Sequence, residues 1–142
     1  MDCELDTDTV LRIIRQIDPH LTVGSFSRLE GGEVYKIDLV DADYTSVVLK
    51  FYPDKPEWGL AKEALVAGWL SDLSVPAPTW LWLDESRSLL PLRYSLLTHL
   101  PGRSLRHWMT EPGITRAYLR ASLASYLGVV GTAFGSVSLK IL

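Results

Sequence analysis

The run Val47-Val48-Leu49-Lys50-Phe51 sets one ammonium inside an otherwise apolar, β-branched strand. A charge carried into a sheet is costly unless an opposite charge neutralises it, so whatever packs on this strand must bring an anion. The following segment supplies one. Leu60, Glu63, Ala67 and Leu70 recur at helical spacing, which puts the Glu63 carboxylate in an inward-facing stripe. Strand alternation turns Val48, Lys50 and Tyr52 to one face and Val47, Leu49 and Phe51 to the other. The expectation is a buried Lys50–Glu63 pair in which Glu63 orients Lys50 and leaves its ammonium to meet an anion as a point charge. The same residues also allow Lys50 to be an edge-strand lysine that blunts aggregation, with Glu63 in solvent.

Around this pair the chain reads as strands and helices in a definite order. Thr7 or Asp8 caps a first helix with the apolar stripe Val10, Leu11, Ile13, Ile14 and Ile17, which ends before Asp18-Pro19 and braces the rest. Thr22 to Arg28, Val34 to Val40 and Tyr44 to Tyr52 alternate as three antiparallel strands, separated by Glu30-Gly31-Gly32-Glu33 and Asp41-Ala42-Asp43. After Pro53 to Pro56, Glu57 to Leu73 has helical spacing, with Leu60, Ala64, Leu65, Trp69 and Leu70 apolar. Val75-Pro76-Ala77-Pro78 leads into a strand from Thr79 to Leu83, and Leu89 to Leu97 forms the next. Pro101-Gly102 closes the sheet, Ser104 caps a short helix to Met109, and Thr115 to about Phe134 reads as a longer helix. The stretch from Gly128 to Leu142 mixes glycines with apolar residues that demand cover.

Composition excludes several classes of function. A length of 142 residues, 47% hydrophobic, suits one compact domain with its own core. The net charge of -3, without a basic run, offers no electrostatic footprint for nucleic acid or an anionic membrane. Cys3 is the only cysteine, so neither an internal disulfide nor a Cys-rich metal site forms, which fits a cytoplasmic setting. The acidic start Met1 to Asp6 lacks the pattern of a signal peptide, and no apolar run reaches the roughly 20 residues of a membrane span.

Gly31-Gly32 between two strands suits either a loop whose amides approach phosphate or a plain hairpin turn. The flanking Glu30 and Glu33 would repel phosphate, which favours the turn.

The order of these features carries more than any one of them. Leu29-Glu30-Gly31-Gly32-Glu33-Val34-Tyr35, Val48-Leu49-Lys50, Lys62-Glu63-Ala64, Val75-Pro76-Ala77-Pro78 and the segment Tyr94 to Leu105 with Leu100-Pro101-Gly102-Arg103-Ser104-Leu105 follow one another. In that order they resemble the aminoglycoside phosphotransferase and choline kinase-like family, from about residue 22 to 108, as an amino-terminal lobe with the opening of a second. The resemblance implies a protein-kinase-like fold, ATP as the bound nucleotide and Mg²⁺ in the intact family. It implies that Lys50 is the phosphate-binding lysine, Glu63 its helix partner and Leu97 the back of the adenine pocket. It also implies that Thr98, His99 and Leu100 form the hinge whose backbone meets adenine, and that Val34 and Val48 sandwich the base.

Two departures from the family pattern stand out. Only Glu33 separates the glycine pair from Val34-Tyr35, where family members carry extra residues, often with an Asn. The catalytic Asp, the following Asn and the metal-binding Asp of the second lobe have no counterpart, since no Asp follows Asp84 and the chain has no Asn. No catalytic residue and no metal ligand is therefore assigned. His107 and Glu111 sit at i, i+4, but Pro112 ends their helix and no third ligand joins them, which favours a surface pair. His20 reads as a loop residue and His99 as a solvent-facing hinge side chain. Trp80 and Trp82 share a strand face at i, i+2 and, with Trp58, Trp69 and Trp108, suit packing better than ligand stacking. Arg103 and Arg106 could hold an anion or simply lie at the surface.

The expected architecture is α+β: a five-stranded antiparallel sheet with a packed helix, a kinase-like amino-terminal lobe, followed by a carboxy-terminal helical segment. Residues 1–100 form that lobe with its leading helix, and residues 101–142 the hinge and the start of a truncated helical second lobe. The expected function is the nucleotide-binding lobe of an ATP-dependent small-molecule phosphotransferase acting on a hydroxyl, inactive as these 142 residues. The alternatives are a pseudokinase-like module that keeps nucleotide affinity, or an interaction module that dimerises with itself through exposed carboxy-terminal apolar surface. The acceptor substrate is not readable, because in the resembling family its contacts lie largely in the second lobe.

Overall fold

The computed structural model of the chain describes residues 5–29, 34–40, 46–53 and 57–103, with the backbone alone at 57–58, and eight further residues between Thr110 and Ser125. Its elements are α1 (Thr7–Ile14), β1 (Thr22–Arg28), β2 (Val34–Val40), β3 (Ser46–Tyr52), α2 (Glu57–Asp72), β4 (Trp80–Asp84) and β5 (Arg93–Thr98). The strands form one antiparallel sheet in the order β1-β2-β3-β5-β4, so Lys50 stands on a central strand and not at an edge.

Helix α1 starts one residue before the expected caps. Asp6 takes the N-cap position in extended backbone and accepts the Thr9 N–H at 2.7 Å, a bond that holds its carboxyl below the usual carboxylate range. Asp8 in the first turn and Arg12 in the last complement the helix dipole. The helix buries Val10, Ile13 and Ile14 in one cluster with Ile37, Val47, Leu49, Phe51, Tyr94 and Leu96. Fully burying each such side chain contributes about 1.5–3 kcal/mol. Directly opposed pairs on this face are Ile37–Val47, Leu49–Leu96 and Phe51–Tyr94, and Tyr35 meets Phe51 edge to face at 6.0 Å.

Strands β1 and β2 have the bounds the alternation predicts. The last sheet strand begins later than expected, at Arg93 instead of Leu89. Pro91 cannot donate to a ladder, and residues 88–92 bend while Leu90 still buries in the core. The expected shared face of Trp80 and Trp82 is also overturned. The register shifts between them, so Trp80 opposes Leu97 and Trp82 opposes Leu96, neighbours that point to opposite faces.

The chain divides into two compact units, Met1–Ala67 with Pro78–His99, and Gly68–Ala77 with Leu100–Leu142. In the first, Leu60 of α2 is fully buried and Leu65 is exposed. In the second, Trp69 is exposed, and α2 ends in a Schellman cap, with Val75 N–H donating to the Leu70 carbonyl and Ser74 N–H to that of Ser71, each at 3.0 Å. Ser74 takes the left-handed position with φ 54°, where glycine is usual. Of the later segments, Ala117, Arg120, Ala121, Ala124 and Ser125 are helical. The short helix expected from Ser104 and the stretch from Gly128 to Leu142 lie outside the described residues, as do Tyr44 and Thr45. Among the described residues no helix is long and apolar enough to cross a membrane.

Candidate functional site

The strand cation and the helix carboxylate meet. Lys50 Nζ lies 2.7 Å from Glu63 Oε2, joining β3 to α2. The pair is not buried as expected, because the side chains remain 30% and 38% exposed. The reason is the side of the sheet it occupies. Alternation turns Lys50 away from the cluster around α1, toward a face where Val34, Val48 and Leu97 are themselves only half-buried. An ion pair this wet is screened and contributes no more than about 1 kcal/mol to stability.

Strand register sets what surrounds Lys50. Val34 and Ser95 oppose it on the two flanking strands, and Val48, two residues before it, opposes Leu97. Val34, Val48, Lys50 and Leu97 therefore share one face, a cation beside three aliphatic side chains. Tyr52 shares it too, although the sequence reading gave it no part in the site. Its hydroxyl lies 3.2 Å from Glu63 Oε2 and 3.0 Å from Ser95 Oγ, and Lys50 Nζ stands 4.9 Å from the centre of its ring. Burial first, and then the Glu63 carboxylate, push the Tyr52 phenol up to about 12. The alternation that pairs Lys50 with Tyr52 was a visible signal. The arrival of Ser95 depends on register between strands far apart in the chain.

Farther along the same face, Asp38 accepts from Ser25 Oγ at 2.8 Å, from Ser46 Oγ at 2.9 Å and from Lys36 Nζ at 2.8 Å. These bonds, that of Lys36 foremost, hold the Asp38 carboxyl down to about 2.

Thr98, His99 and Leu100, expected as a hinge, are placed less uniformly than the sequence suggests. Thr98 ends β5 and is tied to Thr79 twice: its N–H donates to the Thr79 carbonyl and its Oγ1 accepts the Thr79 N–H, both at 2.9 Å. His99 follows, half-buried, as the last residue of the first compact unit. Leu100 belongs to the second unit and is 47% exposed. His20 is exposed, and its N–H donates to Asp18 Oδ1 at 2.8 Å. The Glu30-Gly31-Gly32-Glu33 loop, Arg106, His107, Trp108 and Glu111 lie outside the described residues. Among the described residues, no three His, Cys, Asp or Glu side chains gather into a candidate metal site.

No curated protein matches the sequence. Among solved structures, a candidate aminoglycoside phosphotransferase from Ralstonia eutropha JMP134 is similar over 79% of this chain, with a TM-score of 0.53 and 22% identity. That likeness is one of fold, and it extends the α+β reading to a kinase-like amino-terminal lobe. The matched part is 32% of that protein, so the chain spans about a third of its length. Residues 27–128 match the phosphotransferase enzyme family, a stretch that runs from the end of β1 past β5 and contains both Lys50 and Glu63. The chain belongs to the phosphotransferase enzyme family.

Proposed function

We propose that these residues form the nucleotide-binding lobe of an ATP-dependent small-molecule phosphotransferase, in which Lys50 holds nucleotide phosphates and Glu63 holds Lys50. The observation that carries this reading is the 2.7 Å contact between them. A half-exposed pair adds little to stability, yet it keeps an ammonium at a defined place with donors to spare. Phosphate oxygens are the natural acceptors for those donors.

The rest of the face suits the remainder of a nucleotide. Val34, Val48 and Leu97 are half-buried aliphatics on the side of Lys50, the apolar wall a purine needs. The N–H and Oγ1 of Thr98 are engaged by Thr79, so in this reading a backbone N–H for the base edge falls to His99. Mg²⁺, when bound with ATP, neutralises charge on the transferring phosphoryl group. The described residues bring no three candidate ligands together, and no Asp follows Asp84. No residue is assigned to the metal. The 142 residues thus supply the nucleotide side of the reaction and turn over no acceptor by themselves.

Thermal melting with ATP, with and without Mg²⁺, tests the reading. ATP at about a hundredfold excess over its Kd stabilises by ~2.7 kcal/mol, and Lys50→Ala removes most of that gain. An unchanged melting temperature for the unaltered chain overturns nucleotide binding and leaves the self-association reading, which light scattering checks as a dimer mass. ADP release by the 142 residues above a no-protein control overturns the statement that they are inactive.

A further inference from the structure

We infer that Tyr52 is a positioning residue for the Lys50–Glu63 pair, acting through a hydrogen-bond chain that runs from the buried Ser95 hydroxyl through the Tyr52 phenol to the Glu63 carboxylate. The inference deepens the nucleotide reading, on which its consequence for ATP rests. Its geometry stands without that reading.

The direction of the chain follows from the donor inventory. An ionised carboxylate only accepts, so the Tyr52 hydroxyl spends its single proton on Glu63 Oε2 at 3.2 Å. Tyr52 then accepts at the same oxygen from Ser95 Oγ, 3.0 Å away. Ser95 is fully buried opposite Lys50 on β5, and Tyr52 is 1% exposed, so the chain is anchored in the sheet and ends at a carboxylate half in water. Successive bonds of this kind polarise one another. The Tyr52 ring also lies 4.9 Å from Lys50 Nζ. One side chain therefore touches both members of the pair: its hydroxyl fixes the anion and its ring lies beside the cation. The geometry explains how a solvent-screened ion pair keeps one arrangement. Glu63 is held from the sheet side by a group that cannot move without disturbing β5.

Lys50 reactivity provides a test that needs no nucleotide. Trace acetylation of the full chain with acetic anhydride, read peptide by peptide, compares Lys50 with Lys36 and Lys62 in the same molecule. Tyr52→Phe keeps the ring, removes the hydroxyl and is expected to raise Lys50 labelling roughly fivefold, the scale of one hydrogen bond. In a Glu63→Ala background the same change adds nothing, an outcome that a merely structural role of Tyr52 would not produce. Ser95→Ala shifts labelling in the same direction by a smaller factor, and it decides the matter if Tyr52→Phe fails to fold. Unchanged labelling in a folded Tyr52→Phe chain, or an equal rise with and without Glu63, overturns the inference. ATP affinity is measured alongside and is expected to weaken about fivefold in Tyr52→Phe. If the unaltered chain binds no ATP, the nucleotide reading falls while the labelling result still judges Tyr52.

Discussion

The two faces of the sheet solve opposite problems with the same strands. Toward α1, the opposed pairs are Ile37–Val47, Leu49–Leu96 and Phe51–Tyr94, all buried. On the other side they are Lys36–Val48, Val34–Lys50, Asp38–Ser46 and Lys50–Ser95, with charges and hydroxyls among half-buried aliphatics. Because side chains alternate, β3 turns Val47, Leu49 and Phe51 toward α1 and Val48, Lys50 and Tyr52 to the face that carries the ion pair. Stability and the proposed ligand handling are thus divided between adjacent residues, and each can be altered with the other left nearly intact.

The largest expected effect tests the cohesive face. Leu49→Ala removes a fully buried side chain and is expected to lower the unfolding free energy by about 3 kcal/mol in urea. Its neighbour Lys50, on the opposite face, gives a much smaller change: Lys50→Ala costs about 0.5 kcal/mol, since a screened pair is lost. Comparable losses for the two would break the comparison. The smallest effect belongs to Asp38. Its folded pKa of about 2 lies below the ordinary aspartate value of 3.8, so its contribution is present above the unfolded pKa and is lost as pH falls from 3.8 through about 2. Because the Asp38 side chain is 42% exposed, solvent screening keeps that contribution to about 0.3 kcal/mol. The stability gap between the unaltered chain and Asp38→Asn is expected to narrow over this acid range. A gap that widens there contradicts the assignment.

Much of this arrangement was legible in the residues. Alternation bounded by turn residues placed β1 and β2 at their observed limits, and the spacing Leu60, Glu63, Ala67, Leu70 correctly aimed Glu63 at Lys50. Other features escaped for physical reasons. A register shift leaves no local pattern, so the divergence of Trp80 and Trp82 was hidden. How wet the Lys50–Glu63 pair is depends on what covers that face, which strand periodicity does not encode. Tyr52 finds Ser95 across 43 positions of sequence, a distance over which alternation carries no information. Leu65 and Trp69 belong to an apolar series along α2, yet at about 100° per residue they fall opposite Leu60, and both are exposed.

Asp38 carries one consequence for how the lobe finds its alignment. It sits between Ser25 of β1 and Ser46 of β3, bonded to both. Sliding β3 by two positions, so that Leu49 faced Ile37, would still set aliphatic against aliphatic on the oily side, so packing alone scarcely distinguishes the correct β2–β3 pairing from this neighbour. The same slide would press the Asp38 carboxylate against a side chain unable to answer it, such as Val48. A single acid thus works as a key cut for one lock, rejecting misaligned sheets that greasy contacts would tolerate.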